Sequence, residues 1–173
     1  MDQPPRRTRA QITLDVVRTR QLTPGLVRVT LGGEQFSDFP DRPETDKYTK
    51  LYFPVDGSGL EPPYDLAALR ESVPFDQLPV KRTYTIRRVD QSARELDIDF
   101  VTHGDSGVAG PWAANAQPGD RLTLSAPGGG FSPDPDVDPL LLVGDESAIP
   151  AIWSAREALV PGIAVTTLVE TRG

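Results

Sequence analysis

The chain of 173 residues is long enough for one well-buried domain, or for one domain and a fragment of a second. Its 25 acidic residues outnumber its 18 lysines and arginines, and a net charge of −7 makes a nucleic acid a poor partner. There is no cysteine and one histidine, His103, so disulfides and thiolate sites are excluded, and we expect no bound metal. Because no apolar run reaches the roughly 20 residues of a membrane span, and the N-terminus lacks the apolar stretch of a signal peptide, we expect no membrane span and a cytoplasmic protein.

The first 131 residues alternate apolar and polar side chains in short runs that are separated by turn residues, which is the pattern of half-buried antiparallel strands. Six strands are predicted, at residues 12–19, 26–31, 48–55, 82–89, 95–102 and 121–125. Residues 56–79, which are rich in proline, are predicted to cross the surface with a short helix near 66–71, and a second helix is predicted near 111–116. Six such strands predict a closed antiparallel barrel or a sandwich.

The composition changes at residues 132–139, where proline alternates with aspartate. Neither a helix nor a central strand tolerates this pattern, so a linker is predicted. Beyond it, an apolar run at 140–143 predicts a strand buried on both faces, followed by a helix at 146–160 and a strand at 163–169. The β–α–β order predicts a parallel α/β unit. The predicted organisation is therefore a barrel at 1–131, a linker, and the beginning of an α/β domain at 140–173.

One strand, KRTYTIRRVD at residues 81–90, is unusually basic for an acidic protein. Alternation places Arg82, Tyr84 and Ile86 on one face and Thr83, Thr85 and Arg87 on the other. An arginine that forks to a phosphate, a tyrosine ring that offers a stacking surface and a threonine hydroxyl together suit a phosphorylated heteroaromatic cofactor. The alternative is a solvated basic strand whose tyrosine packs in the core.

Two further stretches could meet such a cofactor. Small residues from His103 to Trp112 enter a helix, whose first amides could bind a pyrophosphate; the alternative is an ordinary connection with Trp112 packed into the barrel. The stretch Leu142 to Ile152 places a glycine at a strand-to-helix turn, where open α/β sheets bind nucleotides. It lacks the spacing of a dinucleotide-binding glycine motif, and the alternative is a plain turn with a capping acid.

The three stretches, in this order, resemble the siderophore-interacting protein family, which are FAD-dependent ferric-siderophore reductases of the ferredoxin-reductase-like superfamily. The resemblance spans nearly all of residues 12 to 173. It rests on these residues: Arg82-x-Tyr84-Thr85-x-Arg87, His103, Gly107-Val108-Ala109, Trp112, Pro118-Gly119-Asp120, and Gly144 to Ala151. It implies a mainly β plus α/β fold, with a six-stranded antiparallel Greek-key FAD-binding barrel before the beginning of a parallel α/β NAD(P)-binding domain.

The resemblance also implies site residues. Tyr84 and Thr85 would be catalytic, Tyr84 on the isoalloxazine and Thr85 near its N5, while Arg82 would hold the FAD phosphate. The other implied cofactor-binding residues are Ile86, Asp99, Val101, His103, Gly107, Val108, Ala109, Gly110, Asp145, Glu146 and Ser147. Lys50 and Arg87 are the implied contacts to the ferric siderophore.

The activity implied by the resemblance is reduction of ferric siderophores to release iron, with a hydride from NAD(P)H to FAD and single electrons to Fe(III). A flavin-binding module or flavin reductase fed by a separate donor, such as ferredoxin, is one alternative. A non-catalytic β-barrel binding module, with Tyr84 and Trp112 in its core, is another.

Overall fold

The computed structural model describes residues 10–104, 106–136 and 139–171. Six strands form the first part of the chain: β1 Gln11–Thr23, β2 Leu26–Gly32, β3 Tyr48–Phe53, β4 Val80–Asp90, β5 Glu95–Val101 and β6 Arg121–Ser125. They close into a barrel in the order β1-β2-β5-β4-β3-β6, and every pair is antiparallel. Because β2 lies beside β5 rather than β3, the chain makes a Greek-key connection. The predicted barrel is confirmed.

Alternation along the strands explains the barrel core. On β5, Leu96, Ile98 and Phe100 are almost fully buried, and they meet the inward side chains of neighbouring strands in one hydrophobic cluster. Two helices accompany the barrel, α1 Leu66–Ser72 and α2 Ala109–Asn115. Trp112 of α2 packs its ring 5.6 Å from that of Phe53 and 5.7 Å from that of Phe100, so α2 caps the core.

The remaining elements are strand β7 Leu140–Asp145, helix α3 Ile149–Glu157 and strand β8 Val165–Glu170. β7 and β8 pair in parallel, which confirms the predicted β–α–β order. The predicted helix at 146–160 was too long at both ends. Residues Glu146–Ala148 form a 3-10 turn capped by the Asp145 carboxylate, and the α-helix stops at Glu157, ahead of Pro161 and Gly162.

Two other predictions were wrong in detail. Strand β7 is not buried on both faces, because Leu141 and Val143 are 58% and 65% exposed and α3 lies on the other side of the sheet. Strand β3 ends at Phe53 rather than at residue 55, since Pro54 has no amide hydrogen for the ladder. Of the predicted linker, residues 132–136 belong to neither helix nor strand, and Val137 and Asp138 lie outside the described residues. Among the helices described, none combines the length and apolar character needed to cross a membrane.

Candidate functional site

A cleft of about 480 Å³ separates the barrel from the start of α3, and we call it the interface cleft. Strand β4 forms one wall, with residues 82–85 in sequence. The opposite wall comes from Ser147, Pro150 and Ala151, while Asp46, Tyr48, Asp99 and Val101 complete the lining. The structure therefore brings the basic strand and the strand-to-helix turn, two stretches that are 60 residues apart in sequence, to opposite sides of one cleft.

Tyr84 is half-buried at the floor of the interface cleft. Its ring centroid lies 4.5 Å from that of Phe100, with the planes inclined by 36°, so the ring is supported by the barrel core while it still lines the cleft. Burial raises the pKa of the phenol above its ordinary value of 10.0, and nearby Arg82 opposes that shift. Tyr84 therefore presents a fixed, neutral aromatic surface to a ligand.

Arg82 is exposed at the rim of the cleft, and its guanidinium donates only to the Lys81 carbonyl oxygen, at 3.0 Å. Within residues 10–104, 106–136 and 139–171, no carboxylate forms an ion pair with it. By contrast, Arg87 and Arg88 on the same strand are paired with Glu157 and Asp90. The guanidinium of Arg82 is thus available to an anionic group in the cleft.

Thr85 and Tyr48 are neighbours across the β3–β4 ladder, where they stand opposite each other in register. The adjacent Asp46 accepts hydrogen bonds from the amides of Gly130 and Phe131, both at 2.9 Å, and so anchors the chain that enters β3. Sequence reasoning missed Tyr48 and Asp46 as cleft residues. The strand alternation that placed Thr85 would have found Tyr48 had the β3–β4 register been known.

Asp99 is a buried carboxylate in the cleft lining, with its side chain 3% exposed. Arg28, its register partner on β2, donates from Nε to Oδ1 at 2.6 Å and from Nη2 to Oδ2 at 2.8 Å. This bidentate pair compensates the charge that Asp99 would otherwise bury beside the ligand space. Arg28 is a third residue that sequence reasoning missed, because it lies 71 positions from Asp99 on a strand with no motif.

A second cavity of about 230 Å³ adjoins the interface cleft and shares Val101 and Ser147 with it. Its other lining residues are His103, Asp145, Glu146, Glu170 and Thr171. Asp145 is held by its contacts with Ser147, whose hydroxyl donates to Oδ1 at 2.6 Å and lowers the pKa of the carboxyl. His103, which follows β5 of the barrel, and the acidic turn at the end of β7 therefore line the same cavity.

Several residues implied by the family resemblance do not line the interface cleft. Ile86 is buried in the barrel core, and its amide donates to the Lys47 carbonyl oxygen at 2.8 Å. The segment 107–110 lies against the end of β5, where a Cβ on Gly110 would stand 3.2 Å from the Val101 carbonyl oxygen. Arg87 contacts α3 outside the cleft, and Lys50 lies on β3 opposite Thr83.

A six-stranded antiparallel barrel followed by a parallel β–α–β unit is the fold of ferredoxin-reductase-like proteins. Residues 15–131 match the family described as the siderophore-interacting FAD-binding domain. The chain therefore belongs to that family, and the predicted family resemblance is confirmed.

Three known proteins illustrate the similarity. An uncharacterized protein of Mycobacterium tuberculosis is 48% identical over 92% of this chain and 57% of its own length. The NADPH-dependent ferric-chelate reductase of Escherichia coli is 38% identical over 84% of this chain and 56% of its own length. The crystal structure of a siderophore utilization protein from T. fusca superposes with a TM-score of 0.76 at 36% identity, covering 95% of this chain and 62% of that one. The chain thus spans little more than half the length of the curated relatives it matches.

Proposed function

We propose that this chain is the flavin-binding part of an NAD(P)H-dependent ferric-siderophore reductase. The observation that carries the proposal is the interface cleft, where an unpaired guanidinium and a supported aromatic ring face the turn that begins the α/β unit. In its domain organisation, the barrel at 1–131 would hold FAD and residues 140–173 would begin the NAD(P)-binding domain. The family description and the name of the E. coli relative support the cofactor and the reductant. Because NAD(P)H is drawn from the cytoplasmic pool, we propose a cytoplasmic location.

The residues of the interface cleft fit FAD chemically. A flat, neutral Tyr84 ring matches the isoalloxazine face, and the free guanidinium of Arg82 matches a phosphate. Thr85 carries a hydroxyl that can donate to a ring nitrogen such as N5. Asp99 lies in the same lining, and its pairing with Arg28 keeps it from opposing the cofactor's negative charge at full strength.

The remaining cofactor contacts are proposed around the end of β5. Val101 and His103 line the second cavity, and Gly110, at the start of α2, lies against the backbone of Val101 and Thr102. The first amides of a helix have no acceptor within it, so those of Val108, Ala109 and Gly110 would serve the pyrophosphate through the backbone. Ile86, buried in the core, would contribute only by holding the strand in place.

Asp145, Glu146 and Ser147 are proposed to meet the nicotinamide end of the reductant, because they line the second cavity beside the interface cleft. Arg82, Tyr84 and Thr85 would hold FAD, which would supply the chemistry of accepting a hydride from NAD(P)H and releasing single electrons to ferric iron, while the protein need not ligate the metal. Ser147 lines both cavities, so its side of the cleft is where reductant and cofactor would approach each other.

Lys50 is proposed to contact the anionic ferric chelate. Lys50 on β3 stands opposite Thr83, two residues from Lys81 on β4. Burial lowers the pKa of Lys81, and the positive charges of Lys50 and Arg70 lower it further. Such a cluster attracts an anion at the rim of the barrel. Arg87 is a weaker candidate for that role because its guanidinium is engaged by Glu157.

The test is the visible absorption spectrum of the purified chain after incubation with FAD and gel filtration. We expect flavin to remain bound, and Arg82→Gln to lower its affinity by about tenfold, the value of a charge-assisted phosphate contact. The matched control is Arg88→Gln, which removes an arginine that is already paired with Asp90 and lies outside the cleft. A chain that elutes without flavin would overturn the proposal.

Electron transfer is tested on the FAD-loaded protein. Under argon, NADPH should bleach the flavin absorbance, and a ferric siderophore should restore it. If bound flavin stays oxidised with both NADH and NADPH but is reduced by a ferredoxin system, the separate-donor alternative replaces the nicotinamide route.

A further inference from the structure

The two walls of the interface cleft belong to different parts of the fold, and a short set of contacts joins them. Arg87 of β4 forms a bidentate ion pair with Glu157 of α3, in which Nη1 donates to Oε2 at 2.8 Å and Nη2 donates to Oε1. The Ser154 hydroxyl lies 3.0 Å from the Arg87 carbonyl oxygen, and it also lies 2.9 Å from that of Pro150. We call Arg87, Ser154 and Glu157 the wall clamp.

The wall clamp lies close to the cleft on both sides. Arg87 follows Thr85 by two residues, a distance of about 7 Å along a strand. Ser154 follows Ala151 by three residues, about 4.5 Å along the helix axis. Between Thr85 and Arg87, Ile86 is fixed by its pairing with Ile98 and by its amide, which donates to the Lys47 carbonyl oxygen at 2.8 Å. The contact between Arg87 and α3 therefore ties the position of Ala151 to that of Thr85.

The ion pair between Arg87 and Glu157 is largely buried on its barrel side and exposed on its helix side. The Arg87 side chain is only 11% exposed, while that of Glu157 is 60% exposed. The hydrogen bonds from Arg87 lower the pKa of the Glu157 carboxyl, and the charges of Arg28 and Arg88 act in the same direction. If Glu157 were neutral, Arg87 would keep a largely buried charge without its partner.

We propose that the wall clamp fixes the width of the interface cleft, with Arg87 and Glu157 acting as positioning residues for the walls that would face the flavin. Arg87 then has a different role from the siderophore contact that the family resemblance implies. The effect on flavin binding rests on the proposed function, whereas the effect on the distance between the walls does not.

The distance is measured directly because the chain has no cysteine. Thr19→Cys on β1 and Thr166→Cys on β8 are exposed positions outside both cavities, and they accept a pair of spin labels. With the clamp intact, we expect one narrow distance distribution. Glu157→Gln and Arg87→Gln should each broaden and shift it, and the double variant should look no worse than either single variant because both remove the same contact.

The matched control is Arg18→Gln. Arg18 also pairs with a carboxylate through two contacts, to Glu95 at 3.0 and 2.8 Å, but both residues belong to the barrel. That variant should leave the distribution unchanged. An unchanged distribution in Glu157→Gln, or a double variant broader than the sum of the singles, would overturn the proposal.

Flavin affinity gives a second readout. Glu157→Gln should weaken FAD binding by about two- to fivefold, the factor that an ion pair of this exposure contributes, whereas Arg18→Gln should not. If the labels move apart but no variant binds FAD, the clamp stands and the proposed function fails. If FAD binds equally well to every variant and the distances do not change, the clamp is wrong and the flavin site remains.

Discussion

At the scale of single residues, Tyr84 connects the barrel core to the cleft, and its two roles can be separated by mutation. Tyr84→Ala removes the ring that packs 4.5 Å from Phe100, so we expect a loss of roughly 2 kcal/mol in stability, below the range for a fully buried aromatic residue, and about tenfold weaker FAD binding. Tyr84→Phe keeps the ring and should bind FAD within about threefold of the unaltered chain. Flavin fluorescence titration and urea unfolding measure the two effects. Equal FAD affinity in Tyr84→Ala would show that the ring does not meet the cofactor.

Gly144 has no side chain, and this permits the tight turn before α3 that forms the opposite wall of the interface cleft. A Cβ at this position would lie 2.4 Å from the Ala148 Cβ, so Gly144→Ala must displace the turn before α3 and should cost about 1–3 kcal/mol. Adding Ala148→Gly removes the clash and should recover most of that loss, apart from about 0.5–1 kcal/mol for the flexibility of the new glycine.

Gly130→Ala is the control for Gly144, since a Cβ there meets no atom within 4 Å. Its stability should remain within about 0.5 kcal/mol, as measured by thermal unfolding. If Ala148→Gly does not rescue Gly144→Ala, the steric explanation is wrong.

At the scale of elements, the pairing of β2 with β5 places Arg28 against Asp99. Arg28→Met would leave a carboxylate that is 3% exposed without its partner, and Asp97 nearby would lose a weaker contact at 3.9 Å. We expect a loss of roughly 2–4 kcal/mol, somewhat below the range for fully buried pairs because the Arg28 side chain is 24% exposed.

The double variant Arg28→Met/Asp99→Leu removes both charges, and it should regain most of the stability that Arg28→Met loses. The exposed pair of Arg18 with Glu95 is the comparison, where Arg18→Gln should cost at most about 1 kcal/mol. Urea unfolding of these three variants and the unaltered chain distinguishes the two kinds of pair. A double variant as unstable as Arg28→Met would mean that packing, not the unpaired charge, is responsible.

The strands also show which features of the fold and the site can be predicted from the sequence and which cannot. Apolar patterns located the eight strands of the described residues, by alternation in the barrel and by a short apolar run at β7, because such signals are local. The partners across strands are not local, so Arg28, Asp46 and Tyr48 could not be assigned to the site without the register. The exposed face of β7 could not be predicted either, since a run of four apolar residues reads the same whether one face or both are covered.

At the scale of the whole molecule, several arginines form ion pairs within the fold, whereas Arg82 stays unpaired at the interface cleft. The chain carries a net charge of −7, and five of the eleven described arginines form ion pairs: Arg18, Arg28, Arg42, Arg87 and Arg88. Arg82 is the exception on β4, and it stands at the rim of the interface cleft. The basic strand therefore has two parts: Arg87 holds α3, and residues 82–85 line the interface cleft.

A ligand that binds only the folded state must stabilise the whole molecule. At a free FAD concentration about 100 times the dissociation constant, the expected gain is about 2.7 kcal/mol. For a chain of 173 residues this corresponds to a rise in Tm of roughly 5–10 °C. Riboflavin, which lacks phosphate, should give a smaller rise at equal concentration, and Arg82→Gln should narrow the difference between the two ligands because it removes the proposed phosphate contact. Equal shifts with FAD and riboflavin in the unaltered chain would contradict a phosphate site at Arg82, and no shift with either would contradict the flavin cleft itself.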